Sequence, residues 1–281
     1  MKKGFIIAAV VLIAAGIILF TGALIAADFD TTKLGTAKYE TNSYTLDEPF
    51  RNIDIDTHIA DIIFKPAADG IACVTCFEQT KMRHTVAVEG GTLKIGVDDD
   101  RSLFDRLSFF NKPLTITVYL PQSDFDNISI RTSTGDIRFD KLSAKEIKLK
   151  TSTGDITVSS VNCSGTVSAK VSTGDIKFTD IMCNTLTTEG STGDVLLDCC
   201  RAAKFQIKTS TGDVRFDGSD AEDITVKTST GDVTGTLRSG KRFTVKTSTG
   251  DVSVPASTDG GNCEITTSTG DINIKVIWYI D

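Results

Sequence analysis

From Ile128 onward, short runs in which apolar and polar residues alternate are broken at a regular interval, and every break has the same four residues. Ser-Thr-Gly-Asp recurs with its glycine at Gly135, Gly154, Gly174, Gly193, Gly212, Gly231, Gly250 and Gly270, each 19 or 20 residues from the next. Seven and five residues before the glycines lie pairs such as Ile128 and Ile130, Ile147 and Leu149, and Ile224 and Val226. Two and four residues after them lie Ile137 and Phe139, Ile176 and Phe178, and Val214 and Phe216. Alternation at period two marks strands. The inward set has odd offsets before the glycine and even offsets after it, so Gly-Asp must turn the chain while both sets stay on one interior. The interval is too short for paired helices, and no helical run separates the corners, which disfavours tetratricopeptide, ankyrin and helix-bearing leucine-rich repeats. The predicted fold is all-β: a parallel β-solenoid, or single-stranded β-helix, with coils of 19–20 residues stacked about 4.8 Å apart.

The same parity predicts that the Thr residues three and one before each glycine face inward. Ser between them and the residue four before should face out, giving an outer column of Arg131, Lys150, Lys170, Glu189, Lys208, Lys227, Lys246 and Thr266. The glycine supplies a backbone conformation costly for other residues, and the Asp carboxylate accepts a hydrogen bond from a nearby N–H.

Upstream, Ile53 to Ile62 aligns with the repeat with Ala60 in place of glycine, a degenerate first coil. Val86 to Val97 reads as a hairpin turning at Gly90-Gly91, and Leu114 to Leu120 as a strand ending at Pro121. Residues 28–127 are therefore expected to form a β cap covering an open sheet edge, and 128–281 the solenoid of eight coils, with Trp278 to Ile280 plugging its far end.

Residues 1–27 differ from all of this. Lys2 and Lys3 precede an uncharged run, Phe5 to Ala27, that ends at Asp28. As a helix these 23 residues span roughly 34 Å, enough to cross a hydrocarbon core of about 30 Å. The expectation is one N-terminal transmembrane helix, with residues 5–27 as the membrane contact and the C-terminal part extracytoplasmic by the positive-inside bias. A cleaved signal peptide is the rival reading, though its apolar region is usually shorter. Without Lys2 and Lys3, 28 of the 30 basic residues remain against 37 acidic ones, a net charge of −9. That acidic balance, with no Lys/Arg run, argues against nucleic acid as a partner.

An N-terminal hydrophobic helix, a strand ending Val118-Tyr119-Leu120-Pro121 and repeated Ser-Thr-Gly-Asp-Ile/Val units together resemble the bacterial DUF4097 family of adhesin-like proteins, over roughly residues 50 to 275. The resemblance implies a parallel β-solenoid of the bacterial envelope and carries no catalytic residues.

Candidate chemistry is sparse. The Asp column, Asp136, Asp155, Asp175, Asp194, Asp213, Asp232, Asp251 and Asp271, is a calcium candidate as well as a structural corner, but one Asp per coil supplies few of the six to eight oxygens calcium takes. Alternate carboxylates about 9.6 Å apart fall near the spacing of inverting glycosidases. Any even ladder yields such pairs, while catalysis needs an acid and a base in different environments. Thr-Ser-Thr ladders suit ice-binding surfaces only if the threonines face out. His58 and His84 are the only imidazoles. Cys73 and Cys76 point to opposite faces of a strand and form no chelate. Cys163 and Cys183, nine residues after their glycines, should stack on adjacent coils at a distance that permits a disulfide, and seven cysteines leave at least one thiol unpaired within the chain. Asp98 to Phe110 mixes charge with aromatics, a cap loop or a docking patch.

The sequence thus predicts a non-enzymatic, cofactor-free binding or scaffolding rod of the cell envelope. Its partners would be the membrane, cell-wall or host glycans, or another copy of itself; the alternative is an envelope-stress or regulatory scaffold acting through other membrane proteins.

Overall fold

The computed structural model describes residues 2–26, 28–29, 37–102, 112–121, 124–256 and 259–277. Leu103 to Phe110 and the Trp278 to Ile280 plug therefore lie outside the described residues. The chain begins with α1 (Lys2–Ala26), a helix of 25 residues. Its side chains are described without interruption only from Val11 to Ala23, roughly 20 Å of helix. Among the described residues no helix is long and apolar enough to cross a membrane. The expected transmembrane span is thus a helix here, and its crossing is not part of the observed architecture.

Everything else is strand and turn. The upstream part holds β1 (Tyr39–Thr45), β2 (Asn52–Asp56), β3 (Asp61–Pro66), β4 (Cys73–Gln79), β5 (Met82–Glu89), β6 (Thr92–Asp99) and β7 (Thr115–Leu120). The repeats begin with β8 (Asp124–Arg131), β9 (Ile137–Asp140), β10 (Ser143–Thr153), β11 (Ile156–Thr173), β12 (Ile176–Thr192) and β13 (Val195–Asp198). They continue as β14 (Arg201–Lys208), β15 (Val214–Lys227), β16 (Val233–Leu237), β17 (Lys241–Lys246), β18 (Val252–Ser253), β19 (Gly261–Thr266) and β20 (Ile272–Val276). Successive coils pair in parallel and in register: Ile128 with Ile147, Ile147 with Val167, Val167 with Leu186, Leu186 with Phe205, and Phe205 with Ile224. The fold is a β-solenoid, and its apolar core runs without a break from Phe50 to Ile274.

Both ends depart from sequence order. Downstream of the Gly231 coil the next rung is not the Gly250 coil: Ile224 pairs with Cys263 and Val233 with Ile272, so β19 and β20 follow β15 and β16. β17 and β18 then pair with the far edges of β19 and β20. The last coil in sequence is inserted between two earlier ones, and the Gly250 coil forms the edge. Upstream, β2 and β3 lie between the β8/β9 rung on one side and β6 and β7, parallel to them, on the other. In the upstream region β6 and β7 thus form a further rung of the stack. Antiparallel β5 closes the edge of β6, and β4, backed by β1, closes that of β7. The hairpin turn at Gly90 and Gly91 has φ of +56° and +73°, the left-handed pair of a type I′ turn.

Each corner glycine is required twice over. Gly193 has φ +131°, and a Cβ on it would lie 2.0 Å from the carbonyl oxygen of Gly174 on the preceding coil. The stacked corners thus approach more closely than any side chain permits. A second corner, six residues after the glycine, has left-handed backbone at Lys141, Ser160, Asp180, Cys199 and Gly218.

Candidate functional site

The corners form a surface repeated on every coil. Backbone bonds link them, as Gly154 N–H donates to Thr173 O at 3.0 Å and Ile156 N–H to Asp175 O at 2.9 Å. Across them runs a second ladder made by the aspartates. Oδ1 of Asp61 accepts the N–H of Asp136 at 2.9 Å, and Oδ1 of Asp136 that of Asp155 at 2.7 Å. The chain of bonds continues through Asp175, Asp194, Asp213, Asp232 and Asp271 to Asp251, each at 2.7–2.8 Å. Each carboxylate except that of Asp251, on the edge coil, thus accepts an N–H of the next coil in the stack. Such charge-assisted bonds are roughly twice as strong as neutral ones, which offsets the repulsion along the column.

The structure brings all eight calcium-candidate aspartates into one column but not into a compact ligand cluster. Among the described residues, Cys76, Glu78 and His84 alone form a group of three or more His, Cys, Asp or Glu whose ligating atoms all lie within 4.8 Å of one another. Asp155, Asp175, Asp194 and Asp213 instead line an open groove together with Lys177 and Arg215.

Threonine parity needs a correction. Of the threonines three before the glycine, Thr132, Thr151, Thr209, Thr228 and Thr267 are buried and Thr247 is half-buried. Thr151 Oγ1 donates to the Gly135 carbonyl at 3.0 Å, and Thr267 Oγ1 to that of Gly231 at 3.2 Å. The threonines one before the glycine, expected inward, are exposed on all eight coils, from Thr134 and Thr153 to Thr249 and Thr269. The bend begins at Ser-Thr, one residue before the step that parity suggested, so the alternation ends there. Each corner therefore presents a Ser hydroxyl, a Thr hydroxyl and a carboxylate to solvent.

The column four before the glycine is outward. Arg131 pairs with Asp56 at 2.8 Å, and the ammonium of Lys170, hydrogen-bonded to Glu189, holds that carboxyl below its ordinary range. Exposed pairs like these add little stability. Lys150, Lys208 and Lys227 are exposed along the same column.

The cysteines mostly fill the core. Cys163 and Cys183 stand directly opposite each other on adjacent coils, as thiols. Burial pushes the thiols of Cys76, Cys183, Cys200 and Cys263 up to about 12, so they are poor nucleophiles at neutral pH. Cys199 alone is exposed.

The chain matches the family model Toastrack DUF4097 twice, over residues 50–166 and 164–277. Among solved structures, it is similar to a protein of Bacteroides fragilis described as a putative adhesin, at 17% identity and a TM-score of 0.52, over 85% of this chain and 97% of that one. A second, from Parabacteroides distasonis and also described as a putative adhesin, is 11% identical with a TM-score of 0.46, over 86% of this chain and 98% of that one. A third, from the same organism, is described as a putative lipid binding protein, at 14% identity and a TM-score of 0.43, with the same coverage. No curated protein matches the chain. At 17% identity the likeness to the first concerns the fold alone.

Proposed function

Because the chain belongs to the Toastrack DUF4097 family, we propose that it works as an adhesin-like binding or scaffolding rod of the bacterial cell envelope, held to the membrane by α1, with its solenoid outside the cytoplasm. The corner face carries this reading. Eight Ser-Thr pairs and an Asp ladder repeat at about 4.8 Å, a pattern that suits an extended, polar, repetitive partner such as a glycan chain. A face built of near-identical coils offers many weak, equivalent contacts, which act together by multivalency. It does not set an acid and a base in contrasting environments, as catalysis by paired carboxylates needs.

Several features support the anchor. Helix α1 covers 25 residues, about 37 Å, with Leu12, Ile18 and Leu19 more than 70% exposed. The hydroxyl of Thr21 donates to the Ile17 carbonyl at 2.8 Å, which satisfies its polar group within the helix. Lys2 and Lys3 before the apolar run favour a cytoplasmic N-terminus.

The test is retention of the purified full chain, in detergent, on insoluble cell-wall glycan. The triple variant Ser172→Tyr, Ser191→Tyr and Ser210→Tyr crowds three consecutive corners at exposed positions. Retention should fall at least tenfold, with melting unchanged. Equal retention of the two proteins, or none by either, would remove the corner face as the binding surface for such polymers.

A further inference from the structure

The solenoid interior is apolar until its upstream end, where a polar cluster is sealed inside. β4 turns Cys76 and Glu78 inward, two residues apart on one face of the strand, and β5 turns His84 toward them. The Glu78 and His84 side chains have no exposed surface, and Cys76 and Thr57 are equally enclosed. Buried polar groups of this kind call for a specific explanation.

The hydrogen bonds are ordered. His84 Nδ1 lies 2.7 Å from Glu78 Oε2, the same oxygen that accepts the His84 backbone N–H at 2.6 Å. The other carboxylate oxygen, Oε1, accepts from Asn42 Nδ2 at 2.6 Å, and His84 Nε2 lies 2.9 Å from Thr57 Oγ1. Tyr44 donates its hydroxyl to the His84 carbonyl at 3.1 Å. Thr57, His84 and Glu78 thus have the connectivity of a nucleophile, a base and an orienting carboxylate, but burial of the whole set keeps any substrate from the hydroxyl.

Metal coordination fits better. One atom of Cys76, one of Glu78 and one of His84 converge within 4.8 Å, while the remaining polar atoms of the carboxylate and the imidazole are already held by Asn42 and Thr57. That is the outer-shell support that orients ligands in metal sites. Sulfur, imidazole nitrogen and carboxylate oxygen together suit zinc or cobalt rather than calcium or magnesium.

We propose that Cys76, Glu78 and His84 bind a zinc-like divalent cation inside the upstream end of the solenoid, through Sγ, Oε2 and Nδ1. The cation displaces the hydrogen bond between His84 and Glu78. The imidazole proton then resides on Nε2, donating to Thr57 Oγ1, and the Cys76 thiol loses its proton to solvent. A thiolate and a carboxylate neutralise the divalent charge, leaving the site uncharged overall, as an apolar interior requires. The cation would join β4 to β5 where the stack of coils ends.

The experiment is titration of the reduced full chain, in detergent, with Co²⁺ alone. The expected result is a thiolate-to-cobalt absorption band in the near ultraviolet, reaching its endpoint at one equivalent and bleached by Zn²⁺. Cys76→Ser should abolish the band, Glu78→Gln should weaken binding at least tenfold, and Cys183→Ser and Cys263→Ser should leave it intact. No band from a chain that melts cooperatively, or a band that survives Cys76→Ser, would overturn the site. Should Cys76→Ser fail to fold, X-ray absorption of the zinc-loaded wild-type chain decides. One sulfur with imidazole in the coordination shell supports the site, and no sulfur overturns it.

Discussion

Replacing Gly193 with Ala tests whether stacked glycine corners set the coil spacing. Gly193 has φ +131°, and a new Cβ would meet Gly174 O at 2.0 Å and Gly174 C at 2.6 Å, well inside the 3.0 Å that real Cβ contacts respect. The corner would have to open by about 1 Å out of a spacing of about 4.8 Å. Three bonds cross that gap: Gly174 N–H to Thr192 O at 2.9 Å, Ile176 N–H to Asp194 O at 2.9 Å, and Asp194 N–H to Asp175 Oδ1 at 2.8 Å. An extra ångström takes all three beyond hydrogen-bond range. At about 1 kcal/mol net for each bond, plus about 1–3 kcal/mol for a non-glycine residue in this backbone region, the cost is about 4–6 kcal/mol. That is a large share of the roughly 5–15 kcal/mol that holds a domain together. For a chain of this size it lowers the melting temperature by roughly 10–20 °C. The assay is thermal melting by circular dichroism in detergent, with Ser191→Ala as an exposed control that stays within about 0.5 kcal/mol of wild type. If Gly193→Ala melts within 2 °C of wild type (about 0.5–1 kcal/mol), close glycine stacking is not what sets the spacing.

Other outcomes can be read from the same structure. Asp194→Ala removes the acceptor for Asp213 N–H and should cost about 1–2 kcal/mol, whereas Asp194→Asn keeps an acceptor and should cost less than half as much in the same denaturation series. Ser160, at φ +52°, holds a left-handed conformation that glycine adopts freely, so Ser160→Gly should stabilise by about 0.5–1 kcal/mol, and a loss of stability would contradict the second-corner assignment. The inserted last coil is tested by cross-linking in a Cys199→Ser background. Thr225→Cys with Glu264→Cys occupies facing positions and should oxidise to a disulfide on a non-reducing gel, while Thr225→Cys with Thr244→Cys, two rungs apart, should not. The reverse pattern would restore sequence order to the stack.

Much of the fold could be read from the chain because strand periodicity and corner chemistry recur together. Ile128, Ile147 and Phe205 had to face one interior, and the Gly-Asp step had to turn. Four things escaped for identifiable reasons. The second corner is filled by Lys141, Ser160, Asp180, Cys199 and Gly218, which share a backbone conformation but no side-chain chemistry, so no motif marks it. The Thr before each glycine faces out because the bend begins one residue earlier than strand parity alone indicates. The order of the last two coils was hidden by their identical motifs, although one signal was present. Pro255, five residues after Gly250, stands where other coils have a paired strand residue, such as Ser159 or Asp217. Proline is confined to sheet edges, and the Gly250 coil is the edge. The Cys76, Glu78 and His84 cluster was out of reach because its members meet only when β4 and β5 close over the first coils.

The proposed envelope role depends first on which side of the membrane the solenoid occupies, and protease shaving of intact cells expressing the full chain with a C-terminal tag measures this directly. Loss of the tag while a cytoplasmic control protein survives is the outcome expected of an anchored, outward-facing rod. A tag that resists until lysis, and is digested afterwards, would place the solenoid in the cytoplasm and contradict that role.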